Sequence, residues 1–320
     1  VFKVKSKKVL GTLEIGEEIP DSDFALHCPQ TNEFVQFEYV DGEKVYGQTE
    51  VRPGIFAISK RATGLVLEKT SFVSDNILEE FVHTHDIQDK IDCFFKNIHV
   101  YAEEGFEVAK RGILLWGPAG TGKSTAISKV CRGYVNDNKT AVIVWHTDKF
   151  EPQVIKGFIK HFKYVGVEKI IFVAEDIGGT EQENARFRSD ASLLSLLDNQ
   201  EKTFTIPTLI LATTNFPEAF LANLTNRPNR FDDKIQVGYP DKESRGKLLS
   251  FFTKGAATPE DISLIQDNKC KEFTPAHIRE IRIRSRIYSK TIKQVITEML
   301  KEIAEYKAMF QDKKAMGFND

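Results

Sequence analysis

The short apolar run Gly112–Trp116 (GILLW) leads directly into Gly117-Pro118-Ala119-Gly120-Thr121-Gly122-Lys123-Ser124-Thr125, and a helical pattern follows to about Tyr134. This order leaves few folds open. A buried strand that ends in a glycine-rich turn and opens a helix belongs to a sheet covered on its faces. Glycine lacks a Cβ, so the turn can curl with successive N–H groups pointing inward. The helix N-terminus adds about half a positive charge at the same place. A chain of phosphates is the ligand such a cradle suits. Lys123 is placed to reach the outer phosphates, and the Ser124 hydroxyl to meet Mg²⁺. The segment satisfies the GxxxxGK[ST], or Walker A, pattern. A chance match in an ordinary strand-to-helix turn is the competing reading, and the strand before it and helix after it argue against that.

The surrounding chain repeats the same alternation. Apolar runs at Ala141–Trp145, Ile170–Ala174 and Pro207–Thr213, with Ile235–Gly238 closing the set, alternate with helical segments near 152–164 and 189–197. Buried strands alternating with helices predict an α/β fold with a doubly wound parallel sheet. Before it, residues 1–75 hold short β-branched and aromatic runs (Glu33–Val40, Gly54–Ser59, Gly64–Glu68) between turn signals. They predict a small β-rich domain, a sandwich or barrel. After Asp241 the chain reads as helical, with Pro259 and Thr274-Pro275 opening helices and a long amphipathic segment from about Thr291. The predicted partition is therefore a β-rich domain over 1–75, an α/β core over 76–240 and a helical subdomain over 241–320.

The formal net charge of −2 gives no general attraction to nucleic acid or to acidic membranes. It leaves open a local basic groove. Cys28, Cys93, Cys131 and Cys270 are scattered without metal spacing, which points to reduced thiols and a cytoplasmic setting. No apolar run approaches the ~20 residues of a membrane span. The chain opens on Val1 rather than Met, so anything upstream lies outside this reading.

Phosphoryl transfer also needs carboxylates for the metal's water shell and for the attacking water. Ile171-Phe172-Val173-Ala174 delivers Glu175-Asp176 at a strand end, which resembles Walker B with the usual Asp-Glu order reversed. By register Glu175 takes the metal side and Asp176 the water side. The shorter Asp would sit about 1 Å further back, enough to cost on the order of 100-fold in rate. Either the loop is rebuilt to fit the swapped pair, or the domain binds ATP and turns it over slowly.

With these residues in view, the chain resembles the AAA family of ATPases over about residues 76–310. Residues 111–125 (RGILLWGPAGTGKST) look like that family's phosphate loop with its lead-in strand, and Thr213-Thr214-Asn215 looks like its sensor 1, Asn215 contacting water or the γ-phosphate. Asn226-Arg227-Pro228-Asn229-Arg230-Phe231-Asp232 is similar to its arginine-finger segment, with Arg227 and Arg230 on the finger positions. Local ion pairs are the alternative for those two arginines. The resemblance implies ATP with Mg²⁺, held by Gly117–Thr125 with Ser124, Glu175 and Asp176 at the metal, an active site completed by a neighbouring subunit, a homohexameric ring, a helical lid and a protein client. Three further positions stay open. Arg279 falls at the sensor 2 place or on a solvated basic face. Phe150, after Lys149, is a pore-loop aromatic or a core residue. Residues 178–190 match the position of the second pore loop, with Arg186 and Arg188 contacting a substrate or the next subunit. A nucleotide-gated scaffold with slow turnover and a DNA-handling motor are the rival functions.

Overall fold

The computed structural model describes residues 3–6, 24–28, 33–40, 43–50, 54–61, 64–70, 84–135, 139–145, 155–156, 158–159, 162–163, 166–177, 197, 203–215 and 231–315. They form two compact units. One holds the sheet and the helices packed with it, and the other gathers the chain from Val237 onward with the loop segment Pro118–Gly122.

In the first unit the strands are β1 (Lys3–Ser6), β2 (Phe24–Cys28), β3 (Glu33–Val40), β4 (Glu43–Glu50), β5 (Ile55–Arg61), β6 (Gly64–Lys69), β7 (Lys110–Trp116), β8 (Thr140–Trp145), β9 (Lys169–Ala174), β10 (Thr208–Thr214) and β11 (Asp233–Gln236). They lie in one sheet in the order β1-β4-β3-β2-β6-β5-β8-β9-β10-β7-β11. From β5 to β11 neighbouring strands run parallel. These six parallel strands with their helices are the α/β fold the apolar runs predict. All of β10 is buried, and Ile170–Ala174 of β9 with it. A strand covered on both faces must be apolar at every position rather than at alternate ones. Phe56, Phe158, Phe162, Phe172 and Phe204 fill one core cluster beside Ile58, Ile143 and Ile170. Truncating a ring such as Phe172 to Ala would cost about 3–5 kcal/mol.

The β-rich opening departs from the expected sandwich or barrel. β1 to β6 pair antiparallel in an open row, and β5 then pairs in parallel with β8 through Ile55–Val142 to Ile58–Trp145. The reason lies in β5 itself. Ile55, Phe56 and Ile58 are all buried, as in an interior strand of the parallel sheet. β5 and β6 pair antiparallel from Phe56–Lys69 to Arg61–Gly64, close in sequence, and that local pairing points to an all-β domain without revealing the second edge of β5.

Helix α1 (Thr84–Lys96) buries Ile87, Ile91, Phe94 and Phe95, and α2 (Ile98–Glu103) follows it. Helix α3 (Lys123–Tyr134) buries Ala126, Ile127, Val130 and Cys131. Asp233 on β11 accepts from Lys90 Nζ (2.6 Å) and Arg111 Nε (2.8 Å), tying α1, β7 and β11 together. Burial pushes this carboxyl up, but the two cations outweigh it and hold its pKa below the ordinary value.

The second unit is helical: α4 (Lys242–Phe252), α5 (Pro259–Gln266), a 3₁₀ turn (Asn268–Cys270), α6 (Pro275–Ile287) and α7 (Ile292–Ala315). Leu248, Leu249, Ile265, Phe273, Ile278, Ile281, Val295 and Ile296 make its core. Capping boxes start α5 (Thr258 with Asp261) and α6 (Thr274 with His277), and Asp241 caps α4 through the Ser244 N–H. Each such cap is worth about 1 kcal/mol. No helix among the described residues is long and apolar enough to cross a membrane.

Candidate functional site

In a parallel sheet every strand presents its carboxyl end on the same side, and ligands bind outside those ends. Strands β9, β10 and β7 are consecutive neighbours. Their ends therefore bring together Glu175-Asp176, Asn215 and Gly117, which lie far apart in sequence.

The loop geometry follows from glycine. Gly117, Gly120 and Gly122 have φ of 147°, 77° and 97°. Gly120 is tightly constrained. A Cβ there would lie 2.9 Å from Thr274 Oγ1 and 3.0 Å from Ala276 Cβ, and the Ala276 N–H donates to its carbonyl at 3.3 Å. Thr121 Oγ1 closes the turn by donating to the Pro118 carbonyl at 2.9 Å. The start of α6 thus packs on the middle of the loop, a contact that nothing in the local sequence announces.

Lys123 opens α3 with its side chain 6% exposed. Its ammonium donates to the Gly117 carbonyl at 2.8 Å and to Asn215 Oδ1 at 2.7 Å. Burial pulls its pKa below the ordinary value, against the opposing charge of Asp176. Asn215 Nδ2 donates onward to Asp176 Oδ1 at 2.7 Å. A lysine, an amide and a carboxylate thus form one polar chain across three strand ends. Ser124 is exposed next to Lys123, and its carbonyl accepts from Ser128 Oγ.

The reversed acid pair has a local geometry of its own. Asp176 is left-handed, with φ of 51°. Asp tolerates this conformation better than most residues, though it still costs about 1 kcal/mol. The turn is held by the Asp176 N–H donating to Thr213 Oγ1 (2.8 Å) and the Ile177 N–H donating to the Thr213 carbonyl (2.8 Å). Thr213, named above only as part of the sensor 1 segment, is therefore a residue of this site in its own right. A hydroxyl at the end of a neighbouring strand was the available signal. Glu175 is half-buried, and its charge adds to burial in pushing the Cys131 thiol on α3 up.

Oxygen donors alone, the Ser124 hydroxyl and the two carboxylates, suit a hard cation such as Mg²⁺. No cluster of three or more His, Cys, Asp or Glu able to hold a metal occurs among the described residues. Arg227, Arg230, Phe150 and residues 178–190 lie outside the described residues. Arg279 stands exposed on α6.

Residues 113–239 match the model of the ATPase family associated with various cellular activities (AAA). The chain carries an AAA ATPase domain. The match begins inside β7 and runs past β11, so it covers the glycine loop, both acids, Asn215 and the two finger-position arginines. The chain is 28% identical over 241 residues to the cell division cycle protein 48 homolog of Archaeoglobus fulgidus, covering 68% of this chain and 32% of that protein. It is 26% identical over 259 residues to the ATP-dependent zinc metalloprotease FtsH 2 of Alkaliphilus metalliredigens, 72% of this chain and 36% of the relative. It is 28% identical over 218 residues to the proteasome-activating nucleotidase of Methanothermobacter thermautotrophicus, 63% and 51% of the two chains. The chain thus spans from about a third to about half of the length of these relatives. The AAA domain makes it an ATP-binding protein of the hydrolase class.

Proposed function

We propose that the chain is the motor of a ring-forming ATPase that spends ATP hydrolysis on remodelling a protein or protein complex. The observation that carries this reading is the polar chain from Lys123 through Asn215 to Asp176 at the ends of β7, β10 and β9. The ammonium donates to two neutral oxygens, the Gly117 carbonyl and Asn215 Oδ1, which it can exchange for phosphate. When it does, Asn215 Oδ1 is released and the amide is free to hold water or a γ-phosphate oxygen. Asp176 then orients the water and accepts its proton. The water oxygen bonds to the γ-phosphorus as the bond to the bridging oxygen breaks, leaving ADP and phosphate.

Ser124, with Glu175 and Asp176 through its water shell, would hold Mg²⁺, which supplies positive charge to the phosphate oxygens. Arg227 and Arg230 reach the nucleotide of the next subunit, and a finger supplied in trans is worth about 10³–10⁵ in rate. The AAA match and relatives named as an ATP-dependent zinc metalloprotease and a proteasome-activating nucleotidase support a homohexamer, a protein client and a cytoplasmic setting. On this reading the partition at residues 75 and 240 separates a recruiting or ring-positioning segment, the motor core and a mobile lid.

The test is steady-state phosphate release with the wild type, Asp176→Ala and Arg230→Ala. A remodeller hydrolyses ATP and loses that with either change, and an equimolar mixture of the two variants regains part of it where one subunit's finger serves the other's acid. Little turnover in all three would leave a nucleotide-gated scaffold, whose support is the swapped order of Glu175 and Asp176.

A further inference from the structure

The middle of the glycine loop belongs to the helical unit, where Pro118–Gly122 gather with the chain from Val237 onward. It rests on the first turn of α6. The Ala276 N–H donates to the Gly120 carbonyl at 3.3 Å, and Thr274 Oγ1 and Ala276 Cβ fill the space a Cβ on Gly120 would need. One imidazole fixes that turn. His277 Nδ1 accepts the Thr274 N–H at 3.1 Å and lies 2.9 Å from Thr274 Oγ1, and the His277 N–H donates to that oxygen at 3.3 Å. The matching box of α5 uses the carboxylate of Asp261 instead.

The difference matters in mild acid. A carboxylate or an amide at this position keeps its acceptor there, whereas imidazole takes up a proton close to neutrality. Protonated Nδ1 is a donor, and it faces another donor, the Thr274 N–H. The ring then also carries positive charge at a helix N-terminus, where the dipole opposes it. Burial alone lowers the pKa of His277 from 6.5; Arg279 and Glu280 on α6, Arg245 on α4 and Glu298 and Glu302 on α7 add nothing to that shift. Arg245 is given to main-chain carbonyls, Glu280 and Glu302 are paired with Arg284, Glu298 is paired with Lys290, and Arg279 stands exposed. The loop segment 118–122 carries no ionisable side chain.

We propose that His277 is a positioning residue for the phosphate loop, holding it through the start of α6 while the ring is neutral and releasing it in mild acid. The pair with Thr274 does no more than finish a helix. It reaches the loop because the finished turn bears on Gly120, far away in sequence. A Gly120 carbonyl held by α6 does not face a bound phosphate, which its oxygen would repel. Above pH 6.5 the ring is neutral and magnesium–nucleotide affinity is full; below it, affinity falls as the pH passes through the folded value. Loss of a helix cap corresponds to about fivefold in affinity. The inference rests on the reading of the loop as a phosphate cradle and adds its control by protons.

Calorimetric titration of the full chain with magnesium and a slowly hydrolysed ATP analogue tests it, from about pH 8 to about pH 5, with circular dichroism at each pH to show that the chain stays folded. Phosphate groups of the nucleotide titrate in the same window, so the readout is the difference between wild type and His277→Gln. The glutamine keeps an acceptor that does not titrate, and wild-type affinity is expected near pH 8. Towards acid the wild type is expected to lose about fivefold more affinity than His277→Gln. His277→Ala, which has no acceptor at any pH, is expected to bind about fivefold more weakly near pH 8 and to follow the glutamine profile in shape. The proposal is overturned if the wild-type and His277→Gln profiles coincide, or if wild-type affinity rises in acid relative to His277→Gln, as attraction between imidazolium and phosphate would make it. It is also overturned if His277→Ala is less stable in urea yet binds as the wild type does, because the cap would then serve the helix alone. Wild-type heat absent at every pH would remove the cradle reading itself. Wild-type heat with coincident profiles removes the role of His277 and leaves the cradle standing.

Discussion

Both halves of this protein place polar side chains at the ends of their secondary structure, but with partners of opposite range. At the helix starts of the C-terminal unit the partner sits three residues away: Asp241 with Ser244, Thr258 with Asp261, Thr274 with His277. At the strand ends it sits 92, 39 and 37 residues away, for Lys123 with Asn215, Asn215 with Asp176, and Asp176 with Thr213. A pair made within one turn can do little more than finish a helix. A pair made across strands gathers unlike groups, an ammonium, an amide and a carboxylate, and unlike groups are what phosphoryl transfer needs. Local pairs should therefore set stability, and distant pairs activity.

The strongest test of that contrast is Lys123→Ala. It removes the cation on which the distant set converges. Phosphate release is expected to fall by about 10²–10³-fold, with the heat of magnesium–nucleotide binding lost in calorimetry. Retained binding heat would mean that the loop amides suffice. Asp176→Asn should lower turnover by about 10²-fold through loss of its proton acceptor. Nucleotide affinity should hold, because the amide still accepts from Asn215. Unchanged turnover would move the water-orienting role elsewhere.

Arg245 sharpens the comparison from the other side, as a distant contact in the helical unit. It is buried and donates only to carbonyls, those of Pro240, Ile265, Gln266 and Asp267. It therefore has structural work alone, and Arg245→Met should cost about 2–3 kcal/mol in urea denaturation by leaving those acceptors unsatisfied. Thr274→Ala opens a capping box and should cost about 1 kcal/mol in the same assay.

The smallest expected effect is in pH. Burial lowers the pKa of His277 from its ordinary 6.5. Its Nδ1 accepts the Thr274 N–H at 3.1 Å, which requires the neutral ring. Above pH 6.5 the folded and unfolded chains are alike at this group. Below it the unfolded chain takes up a proton that the folded ring resists, so stability falls with pH until the folded value is passed. The pH profile of His277→Gln should be flatter over that window, and an unchanged profile would assign the acid sensitivity to another group.

Much of the site was legible because the loop is local. Gly117 to Thr125 are consecutive, and the strand before them and helix after them are written in the same stretch. Glu175 and Asp176 could be named from the apolar run that ends on them, and Asn215 from the resemblance of Thr213-Thr214-Asn215 to a sensor 1 segment. Their mutual bonds could not, since these depend on β9, β10 and β7 being neighbours while β8, which lies between β7 and β9 in sequence, falls on the far side of β9. The left-handed turn at Asp176 was equally hidden, because the Thr213 groups that hold it come from another strand.

By itself the sequence determined the elements: apolar runs long enough for buried strands, caps that start helices, and glycines that let a loop curl. These follow from interactions within a few residues, which spacing records directly. The tertiary structure alone decided that β5 joins the parallel sheet, that Gly120 lies under Thr274 and Ala276, and that Lys123, Asn215 and Asp176 share one chain of hydrogen bonds. Those contacts depend on the order in which strands pair and on which helix start reaches the loop, and no residue's neighbours in sequence carry that information.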